Sequence, residues 1–331
     1  MSESGAAGPV PHTLTGPLVP GAGPREAWLA RPYPQLLRGP NHAWWRPVVS
    51  LVIALGSSLV VLVAFWITMA GMWATQADTP PSEAQYNDWA ASPIGVLTTN
   101  VLLACLIPVS QLAVWGGHGW RPRWVASIAG GVRWVWLIRC SVVVVIVMVV
   151  ANGGLLLAAG GVEFSPEHRA LTYALVVLAT TPLQAAGEEY FFRGWLSQAI
   201  GSLVPRAGAG ALLAAVVSAT VFAYAHGQQD PWLFTDRLLF GLVASWLVWR
   251  TGGLEASIAL HAGFNVVAFT YSVLTGGVSD MLTVTEAEPI SVLVDAVILL
   301  IGAAAIDVAA RRLRIGRLFH PPVRGWAPGP V

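Results

Sequence analysis

The stretch Gly187-Glu188-Glu189-Tyr190-Phe191-Phe192-Arg193-Gly194 sets two adjacent carboxylates and an arginine at the end of a long apolar run. Ionised side chains cost a few kcal/mol each when moved into hydrocarbon. A chain keeps three of them together there when they pair with one another or do chemistry. Two later clusters answer this one: Phe222-Ala223-Tyr224-Ala225-His226 and His261-Ala262-Gly263-Phe264-Asn265.

Around these clusters the chain is 55% hydrophobic and 11% charged, with a mean hydropathy of +0.64. Soluble domains carry about 25% charged residues, so the composition excludes a soluble globule. Eight apolar blocks read as membrane spans at about 47–73, 93–115, 134–159, 170–190, 208–227, 233–250, 254–274 and 289–308. The expected fold is all-α, a polytopic membrane bundle of about eight helices. Residues 1–43, rich in proline and glycine and without an apolar period, read as a disordered cytoplasmic tail. Residues 44–310 read as the bundle and 311–331 as an arginine-rich cytoplasmic tail. Alternating loops, counted from the amino end, hold fourteen arginines against one in the intervening loops. That asymmetry places both termini in the cytoplasm. Residues 118–139 mix arginine with tryptophan and read as an interfacial helix. A net charge of +1 gives no electrostatic case for nucleic acid, and Cys105 and Cys140 read as small buried hydrophobes. All 18 basic residues are arginine, which reads as a GC-rich, bacterial composition and hence a bacterial cell membrane.

Neighbouring helical residues point about 100° apart, so Glu188 and Glu189 cannot do the same job. Glu189 and Arg193 have the i,i+4 spacing of a helical ion pair. Glu188 faces elsewhere, on a stripe with Thr181 and Gln184. It reads either as a second structural charge or as an acid that desolvation makes a better proton acceptor. His226 stands one turn beyond Phe222 and reads as a packing residue or a proton acceptor. His261 and Asn265 share a face with Ser257; they read as interhelical glue or as donors to a developing oxyanion. Folding the fourth and fifth spans about residue 207 sets Glu188 and His226 at one height. By the same count His261 lies nearer the start of its own helix, so the hairpin of spans four and five is expected to protrude into the cytoplasm. Its polar residues Arg193, Ser197, Gln198, Ser202 and Arg206 support that expectation. Pro182 is expected to kink the fourth span.

EExxxR, FxxxH and HxxxN, in that order over residues 180–270, resemble the motifs of the CAAX-protease and bacteriocin-processing (abortive-infection) family, which includes the Ras-converting prenyl-protein endopeptidases. The resemblance implies an intramembrane endopeptidase, glutamic or metallo in type, acting on a membrane-embedded or membrane-associated protein or peptide. It implies that Glu188 and His226 activate water and that His261 and Asn265 stabilise the oxyanion. Glu189, Arg193 and Phe222 are then supporting residues. No HExxH occurs, and a reaction without cofactor or metal is favoured; a bound zinc would take Glu188, His226 and His261. Prenylated substrates are not carried over to a bacterial chain. The alternative from another class is a non-catalytic immunity or scaffold protein, or a transporter.

Overall fold

A computed structural model describes residues 30–39, 42–75 and 79–320. The elements run β1 (Arg31–Pro32), α1 (Arg46–Ala74), α2 (Glu83–Ala91), α3 (Pro93–Ala104), α4 (Leu106–His118), α5 (Trp134–Ala158), α6 (Ala170–Glu189), a π-helical segment (Tyr190–Leu196) and α7 (Ser197–Leu203). After a short turn follow α8 (Ala207–Tyr224), α9 (Pro231–Thr251), α10 (Glu255–Thr275), α11 (Val278–Thr283), α12 (Pro289–Arg312) and β2 (Leu318–Phe319). Eight stretches among them are long and apolar enough to cross a membrane. The protein is a multi-pass, all-helical membrane bundle, as the hydropathy pattern predicts. Some hydroxyls within the spans bond to their own helix, as Ser57 does to the Ile53 carbonyl at 2.6 Å and Thr68 to that of Ala64 at 2.8 Å. Lipid offers no alternative partner for such groups.

The spans nearest the motifs depart from plain α-geometry. The second is broken at Cys105, whose N–H is shared between the Val101 and Leu102 carbonyls at 3.2 Å. Pro108 lies three residues on and has no N–H for the Ala104 carbonyl. The fourth runs 34 residues, Ala170–Leu203, and changes to i→i+5 bonding directly after Glu189. Insertions of this kind concentrate at functional sites. Pro182 lies inside α6.

Three sequence expectations change. Residues 118–139 are not an interfacial helix. Gly119, at φ +69°, ends α4, and a 3-10 turn follows at Pro122–Val125. Trp120 and Trp124 then pack edge-on against Phe319 inside the protein. Secondly, the part of the amino-terminal segment from residue 30 to 39 is a buried strap rather than a loose tail. Tyr33, Leu36 and Leu37 are fully enclosed, and β1 pairs antiparallel with β2 from the carboxyl-terminal segment. Residues 1–29, 40–41 and 321–331 of the two tails lie outside the described residues. Thirdly, the hairpin's polar face is largely not solvated: Arg193, Ser197, Gln198 and Ser202 are buried, and Arg206 alone of the five is exposed. Gln198 donates to the Trp124 carbonyl at 3.3 Å, Gln35 to that of Val204 at 2.6 Å, and Arg38 to that of Ser202 at 2.8 Å. The strap and the Trp124 loop thus cover Ser197, Gln198 and Ser202, while the turn itself is exposed.

Candidate active site

The hairpin of α6, the π segment and α8 keeps the register counted from sequence. Ser218 donates to the Phe192 carbonyl at 2.7 Å, and the Arg193 guanidinium lies 4.1 Å from the Phe222 ring centroid. Both pairings centre the hairpin near residue 206.

Against this hairpin α10 lays its polar face. Arg193 Nη1 donates to Glu189 Oε1 at 2.9 Å, with both side chains fully buried. His261 Nδ1 lies 3.0 Å from the same oxygen, and its Nε2 lies 3.3 Å from Glu188 Oε2. One imidazole thus spans both carboxylates of the pair. Glu188 Oε2 has no hydrogen-bond partner otherwise. The guanidinium atoms of Arg193 that make no hydrogen bond are covered by the faces of Phe222 and Phe240, a contact that favours a cation. One turn further along both helices, Asn265 Nδ2 donates to Gln184 Oε1 at 3.0 Å. Glu188 therefore does have a partner on another helix, and the stripe Thr181, Gln184, Glu188 faces protein.

His226 stands apart from this cluster. It follows α8, is exposed, and its Nδ1 lies 2.8 Å from the Phe222 carbonyl. A carbonyl only accepts, so Nδ1 carries a proton, and the neutral ring then keeps its lone pair on Nε2. Phe222 connects the two regions, its ring edge-on to His226 at 4.6 Å and to His261 at 5.9 Å. The structure therefore brings Glu188, Glu189, Arg193 and His261 together, sets Asn265 one layer away, and links His226 through Phe222. Among the described residues no three His, Cys, Asp or Glu side chains have metal-holding spacing. His226 stands apart from Glu188 and His261, so the three residues named for zinc are not grouped in this structure.

Two contributors escape the motif reading. Gln184 was legible only as part of a stripe, and its partner is set by tertiary packing. Gly187 carries a sharper signal. A Cβ there would stand 2.1 Å from the Leu103 carbonyl oxygen, so the broken second span packs backbone against backbone beside Glu188.

Two acids, an arginine and an imidazole buried together in a polytopic bundle define a membrane protein with a candidate functional site within its spans. Residues 170–267 match the family described as type II CAAX prenyl endopeptidase Rce1-like. The resemblance read from the three motifs holds over that segment. The chain is also 29% identical over 122 residues to "Uncharacterized protein YyaK" of Bacillus subtilis (strain 168), a match covering 34% of this chain and 40% of that protein. The chain thus spans well under half the length of that curated relative. No solved structure matches.

Proposed function

We propose that this protein is an intramembrane endopeptidase, hydrolysing a peptide bond in a membrane-associated protein or peptide. The observation that carries the reading is the buried Glu188–His261–Glu189–Arg193 cluster between α6 and α10.

The charge count supports a reactive state. Two ionised carboxylates and one guanidinium leave one negative charge buried, which is costly unless neutralised. One further proton, shared across the Glu188–His261 contact, neutralises it. With that proton on His261, the imidazole donates from both nitrogens and Glu188 is free to accept. Glu188 then takes a proton from water as the water oxygen bonds to the scissile carbonyl carbon. The resulting oxyanion is met by His261 Nε2–H and by the Asn265 N–H not committed to Gln184. Collapse breaks the C–N bond, and the amine nitrogen receives the proton from Glu188, leaving a carboxylic acid and an amine, which exchange the acid's proton to leave as carboxylate and ammonium. His226 Nε2, exposed and bearing its lone pair, is the second base, orienting the water at the mouth of the site. Glu189 and Arg193 hold His261 in place.

The test uses the full chain in proteoliposomes with a quenched fluorescent peptide library carrying an apolar anchor. Glu188→Gln is expected to lower turnover by at least about 10²-fold while the thermal unfolding midpoint is kept; turnover equal to wild type removes Glu188 as base. Turnover is also expected to survive exhaustive dialysis against a chelator. Loss restored by zinc would instead assign a metal.

A further inference from the structure

We propose that Gln184 is a positioning residue, whose side-chain oxygen sets the orientation of the Asn265 amide. The inference rests on the endopeptidase reading, in which Asn265 donates to the oxyanion.

The α6–α10 interface carries two polar layers, one helical turn apart. The first holds Glu188 against His261, and the second holds Gln184 against Asn265. Gln184 is buried, and its Oε1 accepts from Asn265 Nδ2 at 3.0 Å. The terminal torsion of an asparagine is broad and roughly two-fold. Without a fixed neighbour the amide presents either its NH₂ or its oxygen toward the first layer. An oxygen aimed at a developing oxyanion repels it, whereas an N–H stabilises it. Gln184 Oε1 is an acceptor, so it bonds only to the NH₂ edge. Holding one N–H of that planar group fixes the direction of the other.

The segment bearing Gln184 is itself pinned. One turn earlier Thr181 is fully buried, and Asn100 of α3 donates to Thr180 Oγ1 at 2.9 Å and to Thr181 Oγ1 at 3.1 Å. The acceptor is therefore presented from a part of α6 tied to a third helix. This arrangement gives Gln184 a role in the reaction without contact with the substrate.

The test compares wild type, Gln184→Met, Asn265→Ala and the double variant in the proteoliposome assay with the same peptide library. Gln184→Met keeps the length and loses the acceptor. It is expected to lower kcat about 10-fold or more, with KM changed less than about twofold, because the interaction matters only in the transition state. The double variant is expected to match Asn265→Ala, since the glutamine acts only through the asparagine. Wild-type kcat in Gln184→Met beside an impaired Asn265→Ala overturns the proposal, as does a double variant whose losses multiply. Wild-type kcat in Asn265→Ala itself overturns the oxyanion reading, and the role of Gln184 with it. A second measurement needs no substrate. With ¹⁵N-asparagine labelling, the Asn265 side-chain amide is expected to show one slowly exchanging proton that Gln184→Met abolishes. Identical spectra overturn the proposal.

Discussion

Arg193 is fully enclosed, and its carboxylate partner decides what a substitution there does. Removing one member of a buried pair leaves the other charged and uncompensated, at a cost of about 3–5 kcal/mol. Arg193→Met should therefore lower the thermal unfolding midpoint in detergent more than the double change Glu189→Gln with Arg193→Met, which removes the stranded charge. A single variant as stable as wild type would show that His261 alone suffices for Glu189. The i,i+4 spacing of Glu189 with Arg193, and of His261 with Asn265, was legible because helical geometry places such residues on one face. Their partners across the interface were not. Nothing in the order of residues says that one imidazole meets both glutamates, or that Gln184 receives the Asn265 amide. The same limit hid the bond that Arg250 of α9 donates to Asp307 of α12 at 2.8 Å.

At the scale of the element, the path of the second span past the fourth is set by Gly187. A methyl group there meets the Leu103 carbonyl at a distance that real Cβ atoms do not show, and backbone cannot rotate aside as a side chain can. Gly187→Ala is expected to cost about 1–3 kcal/mol by overpacking and to displace Glu188, lowering turnover along with the unfolding midpoint. Gly208, near the start of α8, is the control. Nothing lies within 4 Å of a Cβ there, and Gly208→Ala should leave both measurements unchanged or slightly improved. Equal losses at both positions would contradict a specific close approach. The hairpin register was countable because two long helices and one short turn leave little slack. The change to i→i+5 bonding after Glu189 was not, since such a slip of hydrogen bonds carries no residue signature. The break at Cys105 was half-signalled by Pro108.

For the whole molecule, eight spans were readable from hydropathy, but the strap over the hairpin was not. Residues 30–39 have no apolar period, and Tyr33, Leu36 and Leu37 are buried only because the hairpin, the Trp124 loop and β2 surround them. That packing bears on orientation. β1 pairs with β2, Gln35 bonds to Val204, and Arg38 bonds to Ser202, so both ends of the described chain and the tip between α7 and α8 share one face of the bundle. An even number of spans requires the ends to be on one side, and from the arginine asymmetry of the loops we propose that this side is the cytoplasmic one. Single cysteines at Ser165 and Arg206, both exposed and in loops on opposite faces, test this in a background with Cys105 and Cys140 replaced by alanine. A membrane-impermeant maleimide should label Ser165→Cys in intact cells and Arg206→Cys only after permeabilisation. The reverse pattern would invert the bundle and turn the tip between α7 and α8 outward. Labelling of both in intact cells would mean that the α6–α8 hairpin does not return to the inner face, a result the Ser218–Phe192 and Arg193–Phe222 contacts could not accommodate with eight crossings.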